Sequence, residues 1–212
     1  MVQLGLRRFG ALLFFWMSHM KRFIVTLLAL ATLALSACAP LITQSPGGAI
    51  SPANVVALDG NDRVMLKGAD VVAYFTQSAY VQGQPSIKST YEKITFYFAT
   101  PEHKALFDTE PMKYVPQFGG YCANGLAYGI PWGGDADTWR IFNGRLFIFG
   151  GANSRDAFML DVPKNMQYAN RYWADEVNGN NPLIQRSKRM MFKVPHYKTD
   201  AEVAVELAKA KK

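Results

Sequence analysis

Cysteine is nearly missing from this chain. Two occur in 212 residues, Cys38 and Cys122. So small a number excludes a disulfide framework, and without a C-x-x-C pair there is no thioredoxin-type redox motif. Histidine is scarce too, and only His103 and His196 lie beyond Cys38. A structural zinc site with four Cys or His ligands is therefore not supplied. There is no H-E-x-x-H, no phosphate loop and no Ser-x-His-Asp grouping. Asp135, Asp137, Asp156 and Asp161 sit among turn and helix-start signals, where capping explains them. Acids are absent from residues 1–37, which carry Arg7, Arg8, Lys21 and Arg22. The net charge of +7 thus falls to 19 basic against 16 acidic residues from Cys38 onward. That balance gives no reason to expect a nucleic-acid partner.

What is present begins with a targeting pattern. "MKRFIVTLLALATLALSAC" starts at Met20, with Lys21 and Arg22 ahead of an apolar run from Phe23 to Leu35 and the small residues Ser36 and Ala37. This is the order of a secretory signal, and the run is shorter than the ~20 residues a membrane-spanning helix needs. Residues 1–37 read as the signal segment, with Met20 as the expected initiator. "LSAC" resembles the lipobox of bacterial lipoproteins. The resemblance implies a Cys38 acylated through its sulfur, anchoring the chain in the lipid bilayer. Ala39 behind it implies the outer membrane, facing the periplasm. Residues 38–57, rich in Pro, Gly and Ser, read as a lipidated linker.

With Cys38 carrying lipid, Cys122 has no partner within the chain. It is then a buried inert thiol, a metal ligand, a redox nucleophile or half of an intermolecular bridge. Its setting is "QFGGYCANG", in which Gly119, Gly120 and Gly125 allow a tight turn and could equally aim backbone N–H groups at the sulfur.

Local patterns define the surrounding elements. Gly68 or Asp70 starts a short turn or helix that brings Val71, Val72, Tyr74 and Phe75 inward. "IKSTYEKITFYFAT" alternates with period two and reads as a hairpin. Thr100 caps a helix with Pro101 in its first turn, whose buried side is expected from Ala105, Leu106 and Phe107. In "TWRIFNGRLFIFGG", Asn143-Gly144 sets a type I′ turn pairing Phe142 with Arg145, Ile141 with Leu146 and Trp139 with Ile148. One face is then apolar and the other, with Phe142 and Phe147, partly exposed. Residues 153–179 read as two helices divided by Pro163. Residues 181–212 read as a loosely attached basic tail, in which Thr199 and Glu202 form a capping box for a short final helix.

In order and spacing, "LKGADVVAYFTQ", "TFYFAT", "PEHKALFDTEPMKYVPQ", "GGYCA" and "TWRIFNGRLFIF" resemble the YHS domain, in its periplasmic (seleno)protein branch. The resemblance covers about residues 58–175. It implies a small α+β fold of antiparallel hairpins with short helices, placed at 58–180. For the wider group the resemblance implies a cysteine pair that binds metal, copper in particular. Those cysteines fall at Ala99 and about His103 here, so the thiolate pair is missing. Some members of the branch hold selenocysteine at the position of Cys122, which implies chalcogen chemistry there.

Two chemistries follow. Copper(I) accepts few, soft ligands, and Cys122 with His103, or with Met65, Met112 or Met159, would make such a site. Of the methionines, Met112 is the one retained with His103 in the expected ligand set. Alternatively, Cys122 is a nucleophile cycling through sulfenic acid or a mixed disulfide. A non-catalytic interaction module is the third reading, with its protein partner unspecified.

Overall fold

A computed structural model describes residues 50–210. The expected signal segment, the start at Met20, the acylated Cys38 and the linker up to residue 49 lie outside the described residues. The fold is α+β. Strands β1 (Val55–Leu58) and β2 (Asn61–Met65) form a first hairpin, and β3 (Gln84–Tyr91) and β4 (Ile94–Phe98) a second. They join in one sheet of order β1-β2-β4-β3, with β2 and β4 parallel at Val64 and Thr95. A third hairpin, β5 (Asp135–Phe142) and β6 (Arg145–Phe149), stands apart. Short helices α1 (Ala73–Thr76), α2 (Pro101–Thr109), α3 (Pro111–Tyr114) and α4 (Ala123–Leu126) lie between these strands. Longer ones follow: α5 (Ala152–Met159), α6 (Val162–Tyr172), α7 (Pro182–Met191) and α8 (Asp200–Ala210). Among the described residues, no helix is long and apolar enough to cross a membrane.

The third hairpin has the register its sequence dictates. Phe142 faces Arg145, Ile141 faces Leu146 and Trp139 faces Ile148, with Asn143 and Gly144 both at positive φ as a type I′ turn requires. Its burial differs from expectation. Leu146 and Ile148 enter a core shared with β4, α1 and Phe107. Phe147 and Phe149, on the opposite face, enter a second core with Phe118, Leu126 and Phe158. Alternation along the strand sends successive side chains to opposite sides, and both sides are covered.

Helix α2 is also turned from the expected orientation. Thr100 caps it as predicted, accepting from the His103 N–H at 3.2 Å, but Leu106 is exposed, while His103 and Phe107, four residues apart, are buried. Phe107 packs between Phe96, Phe98 and Tyr114, and His103 meets a buried acid. These contacts outweigh the apolarity of Leu106.

The edges of the fold lie further out than 58 and 180. Ile50, Ala53 and Val55, expected in the linker, are buried in the first core. The expected loose tail is packed: Gln185, Val194 and Val203 are buried. The His196 ring stacks on Tyr168 at 3.8 Å between centroids, with its Nε2 2.8 Å from the Ala127 carbonyl oxygen. The capping box is present, the Thr199 N–H donating to Glu202 Oε2 at 2.7 Å and the Glu202 N–H to Thr199 Oγ1 at 3.4 Å.

Candidate functional site: the cysteine cavity

Cys122 sits where the two cores meet. The approach is a strained turn: Phe118, Gly119 and Gly120 all have positive φ. A Cβ at Gly119 would stand 2.3 Å from the Pro52 carbonyl oxygen, so glycine is required there by space as well as by backbone conformation. The turn is held by Asn54, whose N–H donates to the Gly119 carbonyl at 2.8 Å and whose amide donates to the Gly120 and Gly134 carbonyls, each at 3.1 Å. Cys122 then anchors to the far side of the site, its N–H donating to the Trp132 carbonyl at 2.9 Å and its backbone bridging to Ile148 of β6.

The sulfur takes the role that a serine or aspartate oxygen usually plays at a helix start. Cys122 is the N-cap of α4, and its Sγ accepts from the Gly125 N–H at 3.3 Å. No other residue fits at 125, because a Cβ there would lie 2.7 Å from the Ile130 carbonyl oxygen. A second group meets the sulfur from another element. Ser154 Oγ, in the first turn of α5, is 3.1 Å from Cys122 Sγ. The first N–H groups of a helix have no partner within it, and the helix dipole makes this end positive. Backbone constraints favour glycine just before α5: a Cβ at Gly150 would stand 3.2 Å from the Gly133 carbonyl oxygen, and Gly151 has a φ of 121°.

Cys122 is buried as a residue, at 2 % relative exposure, yet it lines a cavity of about 660 Å³. Asn124, Tyr128, Ser154, Lys198 and Asp200 share that cavity. Trp132, Ala152 and Val203 line it as well, so the sulfur borders a chamber of mixed polar and apolar lining and is not sealed in hydrocarbon. Burial, and then the negative charge of Glu206, hold the Tyr128 hydroxyl above its ordinary titration range, so it stays a neutral donor at physiological pH.

The expected ligand set is not assembled. Among the described residues, no histidine or methionine lines the Cys122 cavity. Met112 is exposed, Met65 is fully buried in the first core and Met159 is exposed. His103 is engaged elsewhere: its Nδ1 is 2.6 Å from Asp70 Oδ2 and its Nε2 3.1 Å from Thr76 Oγ1. Asp70, fully buried, also accepts from the N–H groups of Val72 at 2.9 Å, Ala73 at 3.3 Å and Ala99 at 2.8 Å. His103 is thus one of four donors that satisfy a buried carboxylate. Among the described residues, no three His, Cys, Asp or Glu side chains gather as a metal-binding group. Around the Cys122 sulfur are a hydroxyl and a backbone N–H, and the second is a donor that cannot ligate. The site offers copper one soft ligand with no second, which does not fit a resident ion.

Asn124 lies two residues after Cys122 in the sequence, but Ser154 and Lys198 escape a reading of it. The available signal is the Gly150-Gly151 pair directly before a helix, which marks a helix start approached closely by another group. Lys198 and Asp200 reach the site only because the C-terminal segment folds back over it.

Compared with known proteins, this chain matches no family model, no curated protein sequence and no solved structure.

Proposed function

We propose that this chain is a lipid-tethered YHS-like domain of the bacterial cell envelope, facing the periplasm from the outer membrane, in which Cys122 is a thiol redox centre. One observation carries the redox reading: Cys122 borders a cavity, with the Gly125 N–H at 3.3 Å and the Ser154 hydroxyl at 3.1 Å from its Sγ. The nucleophile in such chemistry is the cysteine sulfur, and these two groups hold it in place at the cavity wall. Lys198 also lines the cavity, with its ammonium paired to Glu206.

The chemistry is the first rung of thiol oxidation. The Cys122 sulfur attacks one oxygen of a hydroperoxide. The S–O bond forms as the O–O bond breaks, and the leaving oxygen takes a proton from solvent. Cysteine is oxidised to sulfenic acid and the peroxide is reduced to water or an alcohol. An external thiol then condenses with the sulfenic acid, expelling water and leaving a mixed disulfide, which a second thiol reduces. The cavity is large enough to admit a small thiol beside the sulfur.

The test sets peroxide-dependent trapping of sulfenic acid by a cyclic 1,3-dione, read by mass spectrometry, beside a copper(I) competition titration of the reduced chain. The expected result is an adduct on Cys122 that is absent from Cys122→Ser, with no Cys122-dependent copper binding. Stoichiometric copper binding that Cys122→Ser abolishes, with no adduct in the parent, would overturn the proposal in favour of a metal site.

A further inference from the structure

Helix α7 carries an apolar surface on its outward side. The body side is firmly attached. Pro182 and Gln185 are buried, and Gln185 Nε2 donates to the Gly129 carbonyl at 2.9 Å and to Glu176 Oε2 at 2.9 Å. Arg189 pairs with Glu176, and Arg186 Nε donates to the Pro131 carbonyl at 2.7 Å. At about 100° per residue, Leu183, Ile184, Ser187, Met190 and Met191 share an arc of about 120° on the opposite side. Relative exposure reaches 69 % at Ile184 and 76 % at Met191, and Phe192, just past the helix, is 66 % exposed. Exposed apolar clusters of this kind mark interaction sites.

Charge and tether position identify the occupant. Residues 182–193 hold Arg186, Lys188, Arg189 and Lys193 and no acid. Glu176 engages Lys188 and Arg189, and one carboxylate does not neutralise four cations. Arg186 and Arg189 face the body, but Lys188 and Lys193 are exposed beside the stripe, and an apolar stripe edged by lysines with no acid suits an anionic phospholipid surface. A second copy docked face to face would set these cations against their equivalents. The chain also passes this end of the fold on its way from Cys38, because the Gly179 N–H donates to the Ser51 carbonyl at 2.8 Å. That bond lies three residues before α7. The 13 residues from Cys38 to Ser51 span about 45 Å at most, so a bilayer holding the lipid is within reach.

We infer that the outward face of α7 docks on anionic phospholipid, so that the domain rests on the bilayer and does not swing free on its linker. This rests on the reading of Cys38 as the lipid anchor. The experiment places the lipidated chain in phosphatidylcholine vesicles with and without phosphatidylglycerol. It follows Met190 and Met191 oxidation by a water-soluble oxidant and amide exchange over residues 183–193. With phosphatidylglycerol both should slow at least about tenfold. High salt should weaken the effect, and Ile184→Asp/Met191→Asp or Leu183→Asp/Met190→Asp should abolish it without changing Tm, since these side chains are exposed. A chain that floats with the vesicles while this face stays as accessible as in the variants would overturn the docking and leave the tether intact. Protection that tracks protein density, regardless of lipid charge, would assign the face to a second copy and also overturn it. A chain that fails to float with neutral vesicles removes the tether. The docking is then read from phosphatidylglycerol vesicles alone, where flotation lost in the variants supports it and no flotation overturns it.

Discussion

Replacing Asp70 separates a structural role for His103 from a ligand role. The Asp70 side chain is fully buried and accepts from three backbone N–H groups and from His103 Nδ1. Asp70→Ala leaves all four donors unmatched in the interior. Each buried donor without a partner costs about 1–3 kcal/mol, and two of these lie at the start of α1, where local rearrangement recovers part of the loss. Relief of the carboxylate's own burial offsets more. The expected loss is about 4 kcal/mol. For a domain of this size Tm falls about 2–4 °C per kcal/mol, so the drop should be about 8–16 °C. Asp70→Asn keeps one acceptor for Val72 and Ala73 but turns an amide donor toward the Ala99 N–H, so about half that loss is expected. Urea unfolding and calorimetry measure both. The arrangement places Asp70 away from the cysteine cavity, so in Asp70→Asn the alkylation rate of Cys122 should stay within about twofold of the parent. A loss under about 1 kcal/mol for Asp70→Ala, or a collapse of Cys122 reactivity in a folded Asp70→Asn protein, would refute this reasoning.

Two further outcomes follow from named contacts. Ser154→Ala removes the hydroxyl 3.1 Å from Cys122 Sγ and should slow alkylation of Cys122 at neutral pH about tenfold, the effect of one hydrogen bond to a charged atom; an unchanged rate with unchanged Tm would mean that the hydroxyl does not solvate the thiolate. Burial pushes the Glu176 carboxyl up, but hydrogen bonds from Gln185, Lys188 and Arg189 prevail and hold it below its ordinary 4.5. A carboxylate depressed by folding contributes stability that is full above that ordinary value and is lost as pH falls through the folded one. Amide exchange in α7, corrected for its intrinsic pH dependence, should therefore rise below about pH 4, and Glu176→Gln should flatten that rise; identical profiles for the two proteins would disprove the link.

Much of the local structure was legible because it rests on short-range chemistry. Asn143-Gly144 can satisfy positive φ twice, so the turn, and with it the register of Trp139 against Ile148, follows from neighbouring residues alone. Thr100 with Pro101, and Thr199 with Glu202, mark helix starts for the same reason. The buried face of α2 was not legible. Apolarity favoured Leu106, but His103 finds its acceptor 33 residues away in Asp70, a partner no local window contains. The second buried face of the β5–β6 hairpin depends in the same way on Phe118 and Phe158 arriving from elsewhere.

By itself the sequence determined that Cys122 is the one cysteine beyond Cys38, and that it stands among glycines that allow a tight turn. Both follow from residue counts and backbone sterics. Tertiary structure alone decided what that thiol meets: Ser154, 32 residues on, and Lys198, 76 residues on, instead of His103 or Met112. The physical reason is that chain spacing sets local conformation, while the neighbours of a buried atom are set by which helices and strands share a core.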